Sequence, residues 1–167
     1  MASGDTLCIF TPLHASYPAS NYATPDLRNQ HPVLDFDGST DEECYFEGVL
    51  PAHYAGGSVV IDVYVALTSA TSGTSRWQTD IERQNSAGPD LDSDSFVGAF
   101  QSAGGSASGT SGIATAISIT HTAGAQMDSL AAGEPFRLKL RRDADGTSGT
   151  DDIATDAEVT RIVIREA

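Results

Sequence analysis

The sequence has few basic residues and few cysteines, and it lacks any long hydrophobic run. Its 167 residues include 9 Lys and Arg against 23 Asp and Glu, a formal net charge of −14 at pH 7. A surface this negative repels nucleic-acid phosphates and anionic lipid, so it predicts neither a nucleic-acid partner nor a membrane partner. No apolar stretch approaches the roughly 18 residues that a membrane-spanning helix needs.

Cysteine is limited to Cys8 and Cys44, both in apolar surroundings. The first residues lack the basic region and the apolar segment of a secretory signal, which predicts a protein that is made in a cytosol and stays soluble. Thiols stay reduced in such a compartment. We therefore expect two free, buried thiols and no disulfide.

Motifs of the common hydrolases and metal sites are also missing. The sequence contains no C-x-x-C, H-x-H or H-E-x-x-H motif, and four histidines are scattered along it: His14, His31, His53 and His121. The glycine-rich GGSASG at 104–109 has Ala107 where a nucleophile elbow needs serine. A glycosidase cleft would need more aromatic residues beside its two carboxylates. The sequence therefore predicts a protein without a catalytic, cofactor or metal site.

Two acidic segments have part of the spacing of a calcium loop. In the first, acidic residues alternate as at the start of an EF-hand: Asp90, Asp92 and Asp94. Ser95 and Gln101 stand where that loop needs glycine and a final carboxylate. The second segment surrounds two glycines and contains Asp143, Asp145, Asp151 and Asp152. Solvated loops are the first interpretation of both segments, and a bound calcium ion is the alternative.

Short alternating runs broken by turns dominate the sequence after residue 33, and they are typical of β-strands. We predict strands over residues 33–36, 44–50, 59–67, 77–82, 113–119, 136–141 and 158–165. One face of the strongest strand carries only large apolar residues: Val59, Ile61, Val63, Val65 and Leu67. About eight strands without a crossover helix predict an all-β fold, an antiparallel two-sheet β-sandwich that is jelly-roll-like.

Some details of this pattern are more specific. In the last strand Ile162 and Ile164 set an inward register that Val159 contradicts, which predicts a bulge or a two-sided contact. Alternation in FRLKLRR at 136–142 places three basic residues on one face: Arg137, Lys139 and Arg141. We expect them to pair with acidic neighbours across strands or across a subunit boundary. Short helical turns are predicted over residues 93–100 and 127–132.

The segment before residue 33 differs from the rest. Prolines recur every six or seven residues, which excludes a helix and favours an extended path: Pro12, Pro18, Pro25 and Pro32. Hydrophobic anchors lie between them: Leu13, Tyr17, Tyr22 and Leu27. We therefore divide the chain into an extended N-terminal arm, residues 1–32, and a β-sandwich domain, residues 33–167. The arm would lie over its own domain or over a neighbouring subunit; an ordinary segment packed on its own sandwich is the alternative.

Four segments in order resemble a known class of protein. They are PASNYATPDLRNQHPVLDFD at 18–37, YFEGVLPAHYAGGSVVIDVYVALTSATSG at 45–73, MDSLAAGEPFRLKLRRDADGTSGTDD at 127–152 and AEVTRIVIRE at 157–166. Together they resemble small jelly-roll-like virion proteins of tailed bacteriophages. The most specific parts are L-P-x-x-Y-x-G-G at 50–57 and the strand with its acidic loop that begins at residue 133. The resemblance carries no catalytic or binding residue with it.

What the resemblance implies is a non-enzymatic virion structural protein, assembled in the cytoplasm of a bacterial host. The first hypothesis is a capsid decoration (cement) protein that binds the major capsid protein on the outer shell as a homo-oligomer, expected to be a trimer. The alternative is a tail-fibre or spike module that binds a carbohydrate or a receptor. Tyr54 and Tyr64 are the candidate sugar-binding aromatics of that alternative, and core packing or subunit contact explains them as well.

Overall fold

The computed structural model describes residues 4–84 and 88–167. Residues 1–3 of the predicted arm and residues 85–87 of the predicted domain lie outside the described residues. Short 3₁₀ turns occupy Pro12–His14 and Ala125–Met127. The described strands are β1 Thr6–Phe10, β2 Ala15–Ser16, β3 Thr24–Arg28, β4 His31–Phe36, β5 Glu42–Val49, β6 Val59–Leu67, β7 Thr74–Arg83, β8 Gln101–Ser106, β9 Thr115–His121, β10 Pro135–Arg142 and β11 Ala157–Glu166.

The strands form two antiparallel sheets that pack face to face. One has the order β3-β4-β11-β6-β9, with β1 also paired to β11, and is called the six-stranded sheet. The other, the five-stranded sheet, has the order β2-β5-β10-β7-β8. The predicted all-β fold, an antiparallel two-sheet sandwich that is jelly-roll-like, is confirmed. Neither described 3₁₀ turn is long or apolar enough to cross a membrane.

The core lies between the sheets because alternate residues of each strand point inward. The five apolar residues predicted to share one face of β6 all belong to this core. Trp77 of β7 is fully buried, and its ring meets the Phe36 ring edge-on at 4.9 Å between centroids. In β10 the same alternation turns Arg142 inward beside Leu138 and Leu140, and there it is fully buried.

The predicted irregularity in the last strand is confirmed. The register between β11 and β6 shifts between Val159 and Arg161. Because of the extra residue, Val159 and Ile162 are both buried although they are three positions apart. The bulge also separates the half of β11 that pairs with β4 from the half that pairs with β1.

Residues 6–28, within the segment predicted as an arm, contribute strands to both sheets. β1 pairs with β11, β2 with β5, and β3 forms a hairpin with β4, which begins at His31 and so spans the boundary placed after residue 32. The residues that anchor this segment are Leu7, Phe10, Pro12 and Ala23, which are buried. The anchors expected from the sequence are exposed instead: Leu13, Tyr17, Tyr22 and Leu27. Backbone pairing holds the segment where these side chains do not.

Two smaller expectations were wrong, and a third was right only in part. Residues 94–100 form no helix; the backbone of Gly98 has φ +75° and its N–H donates to Asp80, which draws the segment across the sheet. The second helical turn lies at Ala125–Met127, earlier than predicted, because Asp128 and Ser129 adopt left-handed backbone angles that end it. Both thiols are free, but only Cys44 is buried, and Cys8 is partly exposed.

Candidate functional site

The outer face of the five-stranded sheet carries a row of basic side chains on β10, between acidic side chains on β5 and β7. Lys139 lies opposite Tyr45 of β5 and Asp80 of β7, and its Nζ is 3.7 Å from the carboxylate of Glu43. Arg137 pairs with Glu82. The predicted pairing of this row with acidic neighbours across strands is confirmed.

Aromatic rings cover part of this basic row. Lys139 Nζ lies 4.5 Å from the centroid of the Phe96 ring, and Arg141 Cζ lies 5.6 Å from that of Phe100. Tyr45 stacks against Phe96 with 5.5 Å between ring centroids and donates its hydroxyl to Glu43 at 2.5 Å. Burial and this hydrogen bond raise the pKa of Tyr45 above its usual value. The hydroxyl therefore stays protonated at neutral pH.

A polar pocket of about 350 Å³ opens at the edge of this face, where the segment between β2 and β3 meets the start of β5. Two backbone hydrogen bonds fix its wall: Glu43 N donates to Asn21 O at 2.9 Å, and Ala23 N donates to Glu43 O at 3.3 Å. We call it the tyrosine pocket, for Tyr17 and Tyr22, which flank its wall in sequence. It is lined by Pro18, Ser20, Asn21, Asp41, Glu43 and Arg141.

Tyr17 and Tyr22 flank in sequence the residues that form the wall of this pocket. They are 36% and 44% exposed, unlike the aromatic side chains of the core. Their rings lie 5.7 Å apart between centroids and are inclined by 55° to each other. Tyr22 also forms a backbone bridge with Glu43, whose side chain lines the pocket. Two exposed aromatic rings thus belong to the segment that forms the wall of the pocket, although neither tyrosine lines the pocket itself.

Arg141 is the cationic residue among those that line the pocket. Its Nη2 lies 2.5 Å from Asp41 Oδ2 and 3.9 Å from Asp143 Oδ1. Burial raises the pKa of Asp143, but hydrogen bonds from Ser148 and Thr147 outweigh it and hold that pKa below its usual value. The Asp143 carboxylate is therefore ionised, and it has Arg141 as a cationic neighbour.

The predicted second acidic segment is divided by the fold. Its first half joins Asp41 in a group whose carboxylate oxygens lie within 4.8 Å of one another, completed by Asp143 and Asp145. Its second half points elsewhere: Asp151 binds Arg142 in the interior, and Asp152 accepts a hydrogen bond from the backbone of Thr74. The guanidinium of Arg141 contacts two members of this group, Asp41 and Asp143.

The first acidic segment lies far along the chain on an exposed turn. The Asp90 backbone donates to Asp94, and the Asp92 backbone donates to Asp90, so the carboxylates close the turn itself. A hydrogen bond from Ser93 lowers the pKa of Asp90. These contacts are those of a solvated loop, the first interpretation of the segment.

The two tyrosines proposed from the sequence as sugar-binding residues are not available for that role. Tyr54 is buried, and its hydroxyl donates to the backbone of Gly57 and approaches Met127 Sδ at 3.7 Å. Tyr64 lies on the six-stranded sheet, where the guanidinium of Arg161 sits 3.9 Å above its ring. Tyr17 and Tyr22, which the sequence pattern indicated as anchors, are the exposed tyrosines instead. The signal that could have identified them is their position between prolines that keep this segment at the surface.

Among the solved structures with a similar fold are carbohydrate-binding modules. A CBM35 module from Cellvibrio japonicus Abf62 superposes with a TM-score of 0.55 at 8% identity, over 96% of this chain and 98% of that one. A family 35 module from an environmental isolate gives 0.54 at 10% identity, over 96% and 98%. The CBM22-1 xylan-binding domain of Paenibacillus barcinonensis Xyn10C gives 0.51 at 13% identity, over 99% and 97%.

Sequence comparison adds nothing to this similarity. No protein-family model matches the chain, and no curated protein sequence does. At such low identities the structural similarity shows the fold: a small all-β sandwich of the jelly-roll type found in carbohydrate-binding modules.

Proposed function

We propose that this protein is a non-catalytic carbohydrate-binding module and that the tyrosine pocket is its binding site. The observation that carries the proposal is the exposed Tyr17–Tyr22 pair on the same segment whose residues 18–21 wall a pocket lined by Asp41, Glu43 and Arg141. The fold shared with carbohydrate-binding modules supports it. It corresponds to the alternative drawn from the sequence, with a different pair of tyrosines.

The chemistry of the pocket suits a sugar ring. A pyranose has an apolar face of C–H groups, which packs on an aromatic ring, and a rim of hydroxyls, which both donate and accept hydrogen bonds. Tyr17 and Tyr22 offer the rings. Carboxylates accept from hydroxyls and a guanidinium donates to them, so Asp41, Glu43 and Arg141 supply both kinds of partner. Pockets that bind small molecules combine apolar walls with a few such polar groups.

The charge of the protein favours an uncharged glycan. With a net charge of −14, the surface repels polysaccharides that carry carboxylates or sulfates. One neighbour in fold is described as a xylan-binding domain, which makes neutral xylan a reasonable first ligand. Mannan, β-glucan and galactan complete a panel of neutral polysaccharides.

The test is affinity electrophoresis of the purified chain in gels that contain each polysaccharide of this panel. We expect at least one of them to retard the protein, and the double variant Tyr17→Ala/Tyr22→Ala to lose at least about fivefold in affinity, since each ring contact contributes roughly 0.5–1.5 kcal/mol. Tyr64→Ala is the matched control, because that ring is stacked under Arg161 on the other sheet. Retardation by none of the polysaccharides, or equal binding by the double variant, contradicts the proposal.

The remaining expectations from the sequence stay predictions. They are binding to a major capsid protein, a trimeric state, a place in a virion assembled in a bacterial cytoplasm, and the absence of nucleic-acid and membrane partners. A carbohydrate-binding module in a phage fibre would satisfy several of them at once.

A further inference from the structure

We propose that the tyrosine pocket continues beneath residues 94–100 as a second sugar subsite, in which one hydroxyl group of the glycan bridges Gln78 and Arg141. Residues 94–100, the covering segment, would move off the sheet to admit it. This inference rests on the proposed function and adds to it a further binding residue, Gln78, and a step that limits access.

Gln78 is the first observation. Its side chain points outward from β7, yet the residue is only 7% exposed. Its Oε1 atom has no hydrogen-bond partner among the described residues. A buried, unpaired polar group costs about 1–3 kcal/mol, so such a group needs a reason to be there.

Arg141 is the second observation. It lies directly opposite Gln78 on the neighbouring strand β10, and its Nε is likewise buried and without a partner among the described residues. The rest of its guanidinium reaches Asp41 in the tyrosine pocket. Arg141 therefore belongs both to the pocket and to the covered face, which makes the two regions continuous.

The two unpaired atoms, Gln78 Oε1 and Arg141 Nε, have complementary hydrogen-bonding roles. Gln78 Oε1 is an acceptor and Arg141 Nε–H is a donor. A hydroxyl group satisfies both at once, because it donates through its hydrogen and accepts through its oxygen. Cross-strand neighbours lie about 4.5–5.5 Å apart at Cβ, so one hydroxyl between the two side chains reaches both of them.

The covering segment is held in a way that permits its release. It contains neither helix nor strand. Its Gly98 backbone donates to Asp80 at 3.0 Å, and the rings of Phe96 and Phe100 rest on Lys139 and Arg141. Each cation–π contact contributes only about 0.5–1 kcal/mol of stabilising free energy at a partly hydrated site. A glycan that enters beneath the segment would replace these contacts with hydrogen bonds to the same cations.

The decisive measurement follows the amide proton of Gly98 by NMR hydrogen exchange, with and without the polysaccharide of the panel that binds best. We expect faster exchange in the complex, because the hydrogen bond to Asp80 breaks when the segment moves. A titration of two variants completes the test: Gln78→Leu should bind about tenfold more weakly, since the hydroxyl loses one partner, and Phe100→Ala should bind more tightly, since the cover is released more easily.

The outcomes separate this inference from the proposed function. If the polysaccharide binds through Tyr17 and Tyr22, but Gly98 exchange stays the same or slows, the second subsite is wrong and the tyrosine pocket stands. Unchanged affinity of a folded Gln78→Leu variant would likewise exclude the second subsite and leave the tyrosine pocket in place. If no polysaccharide of the panel binds, the proposed function and the subsite fail together.

Discussion

Arg142 and Asp151 form a bidentate ion pair in the interior of the sandwich. Arg142 Nε lies 3.1 Å from Asp151 Oδ2, and Nη2 lies 3.1 Å from Oδ1, with 0% and 1% of the two side chains exposed. The other guanidinium hydrogens go to backbone carbonyls, those of Phe36, Asp37, Thr155 and Ile153. The pair therefore fixes the loop after β10 against the end of β4, beside the tyrosine pocket.

We expect Arg142→Met to lower the free energy of unfolding by about 3–5 kcal/mol, because it leaves the Asp151 carboxylate buried without a counter-charge. Adding Asp151→Leu should recover much of this loss. Urea denaturation followed by circular dichroism measures both. Arg161→Met is the control, an exposed arginine for which we expect less than about 1 kcal/mol. A loss of similar size in the control would contradict the role given to the ion pair.

Asp35 should make the protein less stable at neutral pH than in mild acid. Burial raises the pKa of Asp35 to about 6, together with four nearby carboxylates: Asp156, Glu158, Asp26 and Glu42. The buried Oδ1 atom of Asp35, which has no hydrogen-bond partner among the described residues, agrees with this raised pKa. The native state thus binds the Asp35 proton more tightly than the unfolded chain does. The resulting stability is complete below the usual pKa of 3.8 and is lost as the pH rises through about 6.

It follows that Asp35→Asn should raise the free energy of unfolding at pH 7 by about 1 kcal/mol, a value reduced because water screens the partly exposed side chain. At pH 4 the gain should nearly vanish. Urea midpoints at the two pH values measure the difference, with the exposed Asp92→Asn as control. An equal effect at both pH values would show that charge is not the cause.

His121 should oppose this trend. It is buried between the Thr79 hydroxyl at Nε2 and the Gln126 carbonyl at Nδ1, both at 2.8 Å, and burial lowers its pKa below 6.5. His121 takes up a proton in the unfolded chain as the pH falls below 6.5, whereas in the native state it stays neutral to a lower pH. The stability that His121 contributes above pH 6.5 is therefore lost on acidification. His121→Gln should be less stable at pH 7 but should lose less between pH 7 and pH 5. The exposed His53→Gln should keep the slope of the parent protein.

Chelation should leave the protein unchanged. Arg141 offsets part of the negative charge of Asp41 and Asp143, and the hydroxyls of Thr147 and Ser148 donate to the oxygens of Asp143. We therefore expect EDTA to shift the melting temperature by less than about 1 °C in a scanning fluorimetry measurement. A fall of several degrees that added calcium reverses would assign a metal ion to this group of aspartates.

The strands that could be predicted are those with one face in the core. β6 was predicted over residues 59–67 and occupies Val59–Leu67, and β10 differs from its prediction by one residue at each end. Large apolar residues at every second position determine these strands, because only one register buries them. The bulge in β11 followed from the same rule applied to Val159.

Strands without that alternation were missed. β3 is exposed along nearly its whole length at the edge of its sheet, and β8 has the sequence QSAGGS, without a large apolar residue. Their position depends on hydrogen bonds to β4 and β7, partners that no local pattern reveals. For the same reason the predicted start of β9 was too early: Ile113 is exposed and lies outside the strand.

The site was less predictable than the fold, because it depends on which distant segments meet. Asp41 pairs with Arg141, which is 100 residues away in sequence. Asp151 pairs with Arg142 in the interior and not with the acidic residues near it in sequence. Sequence alone also cannot distinguish an aromatic residue that anchors a segment from one that the segment displays. Tyr17 and Tyr22 belong to the second kind.

The central place of β11 sets an order of events on the growing chain. The five-stranded sheet has all its strands once residue 142 is made, whereas the six-stranded sheet needs β11, through residue 166, between β6 on one side and β1 with β4 on the other. At roughly 5–20 residues per second the second event trails the first by about one to five seconds. For that interval the apolar face of the five-stranded sheet lacks its partner, and a nascent chain of this protein is then most exposed to aggregation.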